Sequence, residues 1–518
     1  MKEIVSDSTI QKSYEAVVVG AGCGGLAAAA QLAAKGVQVL LLEQHNLPGG
    51  FGSSFVRGRF EFETALHMLV DYGPSYRMGS VRKFFENDIA LDIELVEVPD
   101  AYRIIIADDG IDAVIPLGVE QFISAIEDAV PGSRPSMTSY IELCKEVMDA
   151  LEYIGESKGR PDQKVLRAKY PRFLKTTAYS VEEVTRKFNI PDKALKLLYS
   201  YWMVVGPPPS RLNFTTFAAF MFRYMTHGSF IPRMRSHEMM TALDERIREL
   251  GGDIEYNSRV EKILVQNGEV IGIETAKGDR IETKHVICNA SPTITYNNLV
   301  YPKEEVPQRA YQTINAREHG LTMFVVYLGL DASAEELGLD TYGYMITPFL
   351  EPDRLYENFY RLGSPTVQAT VCMNAALPEC SPPGTSIVFL ASLMRPEAWA
   401  SVRPGNYFAL KNKMAKAMIE QFENKTGIKL SDHIEEIEIA TPQTFARYTG
   451  THNGVIYGYE PESWDWTMPR LASIQNEYYI RGLHFSGGFS FLCAGYSNSL
   501  LSGKMAANFT IKEMEKER

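Results

Sequence analysis

The hydrophobic pattern near the start of the chain predicts a strand, a helix and a second strand in close succession. A β-branched run at 17–19 is typical of a buried parallel strand, and an alanine- and leucine-rich stretch at 24–35 predicts a helix. A second apolar run at 37–42 follows, after the glycine at which the helix ends, and it leads into Glu43. We therefore predict an α/β fold that is built on a parallel sheet.

Glycines occupy the turn between the first strand and the helix. Their G-x-G-x-x-G spacing permits a tight turn, the approach of a pyrophosphate and a close helix–strand contact, and the helix N-terminus adds unpaired N–H groups that attract phosphate. An ordinary glycine turn without a ligand is the alternative. We predict a Rossmann-like dinucleotide site that includes Gly20, Gly22, Cys23, Gly24 and Gly25.

An acidic residue and a second glycine pair extend this site. Glu43 lies eighteen residues after Gly25, where a carboxylate accepts hydrogen bonds from a ribose and repels a 2′-phosphate. Gly49 and Gly50 follow the acid by six and seven residues. Nicotinamide enzymes do not need this second pair, whereas the longer pyrophosphate–ribityl arm of a flavin dinucleotide runs past more backbone. We therefore predict FAD as the cofactor, with Glu43, Gln44, Gly49 and Gly50 among its ligands.

Between 119 and 231 the pattern changes to helices that are rich in aromatic residues. Ser180, followed three residues later by Glu183, predicts a capping box at the start of one of them. Ordinary core packing accounts for about half of the aromatic side chains in 197–231. The functional alternative is the wall of an apolar tunnel, or a lid or patch that faces a membrane. The flanking arginines are either solvated surface residues or ligands of a carboxylate or lipid headgroup. The candidate substrate-binding residues are Tyr199, Trp202, Phe217, Phe220, Arg223, Arg233 and Arg235.

The remaining pattern divides the chain into two discontinuous domains. After 237 it returns to a helix, a hairpin at Asn267–Gly268 and a buried strand, while 301–440 reads as β-rich with helical inserts. We predict an FAD-binding domain of 1–105, 232–300 and 440–518. The other domain, an α+β substrate-binding unit, comprises 106–231, with its helical segment at 119–231, and 301–439.

Composition narrows the classes of partner and location. The formal net charge of −12 argues against nucleic acid, because phosphate-backbone binding needs basic patches. The six cysteines include no C-x-x-C pair, which argues against a metal site and a disulfide redox pair. With no apolar leader or convincing membrane span in the sequence, we expect a cytoplasmic protein. Peripheral contact with an inner membrane face and a homo-oligomer stay open.

The sequence resembles the FAD-dependent amine oxidase superfamily, and within it the branch of phytoene desaturases, carotenoid isomerases and retinol saturases. The resemblance rests on the acid followed by Pro48–Gly49–Gly50, the segment from Phe60 to His67, and the closing strand and helix. It departs from the family pattern at three positions: Phe51 for Arg, Glu63 for Asp and Ala65 for Gly.

The resemblance implies further site residues. A strand at 258–260 would present its backbone to the adenine, with Val260 as the residue of choice. The strand that leads into Gly487 and Gly488 would hold the pyrophosphate, and the helix that starts near Gly495 would place its N-terminus beneath the isoalloxazine ring. His67 is the candidate catalytic residue, for proton handling; a hydrogen-bonded histidine in a buried turn is the alternative.

These features predict an FAD-dependent oxidoreductase, or a redox-neutral isomerase, that acts on C–C double bonds of a long apolar substrate. Carotenoids, retinoids, other isoprenoids and unsaturated fatty acyl chains all fit. No second nucleotide motif indicates an NAD(P)H domain. The alternatives are a flavin amine oxidase and a non-catalytic flavoprotein that binds a lipid.

Overall fold

The computed structural model describes residues 12–518 apart from 66, 74–78, 158–160, 201, 203, 204, 364–366, 463, 466–478, 491, 493 and 494. The strands are β1 (Ala16–Val19), β2 (Val39–Leu42), β3 (Ser54–Arg57), β4 (Phe60–Glu63), β5 (Leu69–Val70), β6 (Leu95–Glu97), β7 (Asp100–Ile106), β8 (Ile111–Pro116), β9 (Ser229–Pro232), β10 (Asp253–Glu255), β11 (Val260–Gln266), β12 (Glu269–Thr275), β13 (Arg280–Glu282), β14 (Val286–Cys288), β15 (Val300–Tyr301), β16 (Thr322–Leu330), β17 (Gly343–Thr347), β18 (Gln368–Cys372), β19 (Ser386–Met394), β20 (Ile434–Ala440) and β21 (Leu483–Phe485).

The α-helices are α1 (Cys23–Ala34), α2 (Ser80–Lys83), α3 (Val119–Ala129), α4 (Arg134–Glu156), α5 (Gln163–Lys169), α6 (Pro171–Thr176), α7 (Val181–Thr185), α8 (Asp192–Tyr199), α9 (Phe214–His227), α10 (Arg235–Glu249), α11 (Pro292–Ile294), α12 (Gln308–Ala316), α13 (Ala334–Leu337), α14 (Pro352–Asn358), α15 (Pro396–Ala400), α16 (Tyr407–Thr426), α17 (Pro442–Thr449) and α18 (Tyr496–Glu517).

A parallel sheet of order β10-β2-β1-β14-β21 forms the centre of the nucleotide-binding part. The predicted strand–helix–strand unit is present as β1, α1 and β2. One face of the sheet packs on α1, α10 and α18, and the other packs on the antiparallel strands β11 and β12. The predicted α/β fold is therefore confirmed, and both ends of the chain contribute to one sheet.

A second sheet, of order β20-β16-β19-β18-β17-β7-β8, supports the rest of the molecule. Its strand β7 spans the predicted domain limit at 105 and pairs in parallel with β17. Helix α16 covers one face, and the hairpin β3–β4 packs on the other. A helical layer that includes α3, α4, α8 and α9 adjoins this sheet. The domain limits themselves stay a prediction.

Local signals in the sequence correspond to local structure. Ser180 and Glu183 form the expected capping box at the start of α7. Asn267 and Gly268 both have positive φ in the turn between β11 and β12, as a two-residue hairpin turn requires. Among the helices that the structure describes, none combines the length and the apolar character that crossing a bilayer requires.

Candidate flavin and substrate site

A cavity of about 1570 Å³ extends from the glycine turn after β1 to the inner face of α9. Its nucleotide end is lined by the turn, the end of β2 and the start of β11. Its other end is lined mainly by apolar side chains of the second sheet, which include Met345, Val371, Phe389, Ala391 and Leu393. The cavity therefore joins a polar, glycine-rich end to an apolar end.

The first glycine turn is shaped by close backbone approaches. A Cβ at Gly25 would overlap the carbonyl oxygen of Gly20, so this glycine serves the helix–strand contact rather than the cavity wall. A Cβ at Gly22 would lie 2.6 Å from Asn289 Nδ2, and one at Gly24 would lie 2.6 Å from Asn289 Oδ1. Gly20, Gly22, Cys23 and Gly24 line the cavity, and their binding of the cofactor stays a prediction.

The turn leaves donors available to an anion. Helix α1 begins at Cys23 without a side-chain cap and without an acidic residue in its first turn. Its first N–H groups therefore face a cradle that side chains do not fill, which fits a pyrophosphate. Burial raises the pKa of the Cys23 thiol to about 12, so the side chain adds no charge there.

Glu43 lies at the end of β2, next to the turn. Its Oε2 accepts a hydrogen bond from the Ala21 N–H at 2.6 Å, and its Oε1 accepts one from the His45 N–H at 2.8 Å. These bonds hold the carboxylate at the cavity wall, where Gln44 and Val260 also lie. This group of residues fits the adenosine end of a dinucleotide.

The second glycine pair is attached to the first turn. The Gly49 N–H donates to the Ala21 carbonyl at 2.8 Å, and Gly22 and Gly49 form a parallel bridge. Gly49 and Gly50 have φ of 114° and 57°, conformations that favour glycine. Both line the cavity, so the two glycine segments form one continuous backbone surface.

The C-terminal segment closes the nucleotide end from the opposite side. The Gly487 N–H donates to Ser502 Oγ at 2.8 Å, which ties the loop after β21 to α18. Helix α18 starts after Gly495, without a side-chain cap or an acidic residue in its first turn. Gly487, Gly488, Gly495 and the first turn of α18 line the cavity. Like the N-terminus of α1, the uncapped N-terminus of α18 therefore favours a partial negative charge on a bound group.

His67 lines the cavity between these two ends. Its ring centroid lies 3.8 Å from that of Phe389, and burial lowers its pKa to about 3, although a hydrogen bond to the backbone of Ala65 opposes the shift. Among the described residues, Nε2 has no hydrogen-bond partner. The imidazole is therefore neutral near pH 7, with Nε2 available as an acceptor.

The candidate substrate residues separate into three groups. Phe220 and Arg223 line the cavity from α9. Tyr199, Trp202 and Phe217 are buried in the helical layer instead: the Tyr199 hydroxyl is 2.7 Å from Thr185 Oγ1, and the Trp202 Nε1–H donates to the Pro207 carbonyl at 2.6 Å.

Arg233 and Arg235 form the third group, outside the cavity wall. Arg233 Nε donates to Glu94 Oε1 at 2.6 Å, and its guanidinium also pairs with Glu379. The Arg235 guanidinium donates to the Cys380 carbonyl and lies 3.9 Å from a Glu61 oxygen. The fold therefore does not bring the three arginines together.

Two residues of the site were missed in the sequence. Asn289 follows β14 and lies between the first glycine turn and Gly487, and Ser486 Oγ donates to its Oδ1 at 3.2 Å. Its place after a buried strand, at the carboxyl edge of a parallel sheet, was the available signal. Asp71 lines the cavity beside the C-terminal end of α9, and no local pattern marks it.

Sequence comparisons show similarity to enzymes of polyene metabolism. The chain is 26% identical over 530 residues to an all-trans-retinol 13,14-reductase of Danio rerio, which covers 95% of this chain and 85% of the relative. It is 24% identical over 522 residues to a chloroplastic prolycopene isomerase of Daucus carota, with 98% and 82% covered. Residues 23–403 match the model of a family described as flavin containing amine oxidoreductase.

Solved structures share the fold. An oxidoreductase from Methanosarcina mazei superposes with a TM-score of 0.63 at 17% identity, over 96% of this chain and 99% of the other. A putrescine oxidase variant superposes with a TM-score of 0.65 at 13% identity, over 96% and 99%. At these identities the likeness concerns the fold alone.

Proposed function

Because the chain belongs to the family of flavin containing amine oxidoreductases, we propose that it reduces or isomerises C–C double bonds of a long apolar polyene. It is an FAD-dependent oxidoreductase, and the glycine cradle and the two uncapped helix ends fit that cofactor. The similarity to a retinol reductase and a prolycopene isomerase supports a retinoid or carotenoid as the substrate class.

One observation carries the proposal: the cavity continues from the nucleotide cradle into an apolar compartment. Its walls are formed by the second sheet and by α9. The apolar side chains of these walls suit an extended hydrocarbon chain, which needs no hydrogen-bond partners along its length. A reaction on a conjugated chain needs orientation of the substrate more than a set of catalytic side chains.

We assign the residues of the cradle to cofactor binding. The N–H groups around Gly22 and Gly24 would hold the pyrophosphate, Glu43 the adenosine ribose, and the first turn of α18 the far end of the cofactor. When bound, FAD supplies hydride or electron transfer. The chain itself excludes water with its apolar wall and fixes the substrate between Phe220 and the sheet.

His67 remains a proposed proton-handling residue. Its neutral imidazole offers a lone pair on Nε2, but a pKa of about 3 makes it a weak base. We therefore propose that it accepts a hydrogen bond from a bound group, and that any proton transfer depends on this contact.

An amine as substrate is disfavoured by one specific feature. The compartment is lined mainly by apolar side chains, and an alkylammonium group would lose its hydration there without a net countercharge, because Arg223 and Asp71 balance each other. Hydrogen peroxide release with a primary or secondary amine would instead support the amine oxidase alternative.

The activity is tested anaerobically with FAD-loaded protein whose flavin has been photoreduced. We expect all-trans-retinol or prolycopene to be converted to a dihydro product or a geometric isomer, detected by chromatography and mass spectrometry. Photoreduced free FAD is the control. Unchanged polyenes together with an unchanged flavin spectrum would contradict the proposal and favour a lipid-binding flavoprotein.

We also propose that the substrate arrives from a membrane surface. The transfer of a long polyene from water to an apolar environment is favourable by about 0.8 kcal/mol per buried CH₂. Because a bilayer already provides this environment, the polyene resides in the membrane and has to be taken up from there. Phe408 is 69% exposed at the start of α16, beside Tyr407 and Lys411 of the cavity wall. An exposed aromatic ring next to basic side chains suits an anionic lipid surface.

A further inference from the structure

A compact polar group interrupts the apolar wall at the α9 end of the cavity. Asp71 is 1% exposed, and its Oδ1 lies 2.9 Å from His227 Nδ1. Arg223 precedes His227 by four residues on α9, so both side chains lie on the same face of that helix. Asp71 and Arg223 both line the cavity.

Arg223 has unused donors. Among the described residues, none accepts a hydrogen bond from its guanidinium, and none places a carboxylate within 4 Å of it. Its neighbours on the cavity-lining side of α9 include Ala219 and Phe220, which offer no acceptor side chain. A half-buried guanidinium is costly to leave unpaired, because those of its donors that are buried have lost water.

Asp71 supplies the balancing charge at longer range. Burial opposes ionisation of this carboxyl, but the charge of Arg223 and the contact with His227 outweigh it and lower the Asp71 pKa below its usual value. Oδ2 of Asp71 has no hydrogen-bond partner among the described residues. The group thus pairs one cation with one anion.

We propose that Arg223 and Asp71 form a subsite for an uncharged oxygen, a hydroxyl or carbonyl, at one end of the apolar substrate. The Arg223 guanidinium donates to that oxygen. A carboxylate end group would meet the charge of Asp71, and a pure hydrocarbon would leave the guanidinium unpaired. The inference rests on the proposed function, and it narrows the substrate to a polyene that carries an oxygen at its end.

The subsite predicts discrimination between molecules that differ only at that end. A site that bonds a substrate oxygen rejects the analogue that lacks it, because its own buried donors are then unpaired, and we expect a preference of about tenfold or more. Replacing Arg223 should abolish this preference, whereas replacing another cationic residue of the cavity wall should leave it unchanged.

The experiment measures binding to FAD-loaded protein by fluorescence titration, with three probes. They are all-trans-retinol, the hydrocarbon in which a methyl group replaces its CH₂OH, and retinoic acid. We expect the alcohol to bind about tenfold more tightly than either of the others. Arg223→Met should equalise the affinities for the alcohol and the hydrocarbon, and Arg223→Lys should restore part of the preference.

Arg447→Met is the matched control, because Arg447 also lines the cavity but lies on α17. It should leave the alcohol preference unchanged, and the FAD content and unfolding midpoint of each variant confirm that it is folded. Equal binding of the alcohol and the hydrocarbon by the unmodified protein would overturn the subsite and leave the proposed function standing. Tighter binding of retinoic acid than of the alcohol would also overturn the subsite alone. So would a shifted flavin spectrum in Arg223→Met, because that shift would place the guanidinium at the cofactor. Failure to bind any of the three probes would overturn the proposed function and the subsite with it.

Discussion

At the scale of single residues, His67 gives the protein a defined pH response. Burial lowers its pKa to about 3 in the folded chain, against about 6.5 when unfolded, so between pH 3 and 6.5 mainly the unfolded chain binds the proton. The free energy of unfolding should therefore fall by about 1.4 kcal/mol per pH unit between pH 6 and 4 from this group alone.

Urea denaturation at several pH values checks this response. His67→Gln should have a shallower decline of unfolding free energy with falling pH than the unmodified protein. His433→Gln, which alters a histidine 3.0 Å from Asp331 at the surface, is the control. Equal slopes for His67→Gln and the unmodified protein would show that His67 is not buried as a neutral imidazole.

The glycines of the site could be identified in the sequence because each meets a conformational requirement of a local turn. Gly20, Gly49 and Gly50 adopt positive φ, and the spacing of a turn expresses that requirement in the sequence. Trp202 shows the opposite case. An aromatic residue fits a core as well as a cavity wall, and only long-range packing, here against Phe359 at 6.4 Å between ring centroids, decides between them.

At the scale of elements, the contact between α18 and the loop after β21 depends on Ser502. Its hydroxyl accepts the Gly487 N–H and donates to the Ser499 carbonyl at 2.7 Å. Ser502→Ala would leave a buried N–H unpaired, which costs about 1–3 kcal/mol, and it should also weaken FAD retention.

Thermal unfolding and the flavin content after dialysis measure both effects of Ser502→Ala. The matched control is Ser139→Ala, because Ser139 is an exposed residue of α4 whose hydroxyl donates only to the Pro135 carbonyl of its own helix. If both variants kept FAD equally well, Ser502 would have no part in closing the site.

Element boundaries were predictable where capping residues mark them, and sheet partners were not. Gly427 ends α16 in a left-handed conformation, which favours glycine directly after a helix. The parallel pairing of β7 with β17 joins segments more than two hundred residues apart, and no local pattern encodes such a register.

At the scale of the whole molecule, the rim of the cavity should contact lipid. We expect Phe408→Glu to reduce flotation with anionic vesicles at least threefold, because it adds a charge where an aromatic ring would enter the headgroup region. Ile271→Glu is the control, since Ile271 is another exposed apolar residue but lies on β12 of another sheet. Equal flotation of the two variants would place the lipid contact elsewhere.

The joining of the two chain ends in one sheet has a consequence for biosynthesis. Residues 20–25 are synthesised more than four hundred residues before Gly487 and Ser502, which close the cradle. Closure of the cradle therefore has to wait for the segment around 487–502, and we expect a polypeptide that stops short of it not to retain flavin. Flavin retention would thus report that this segment has been made and has docked.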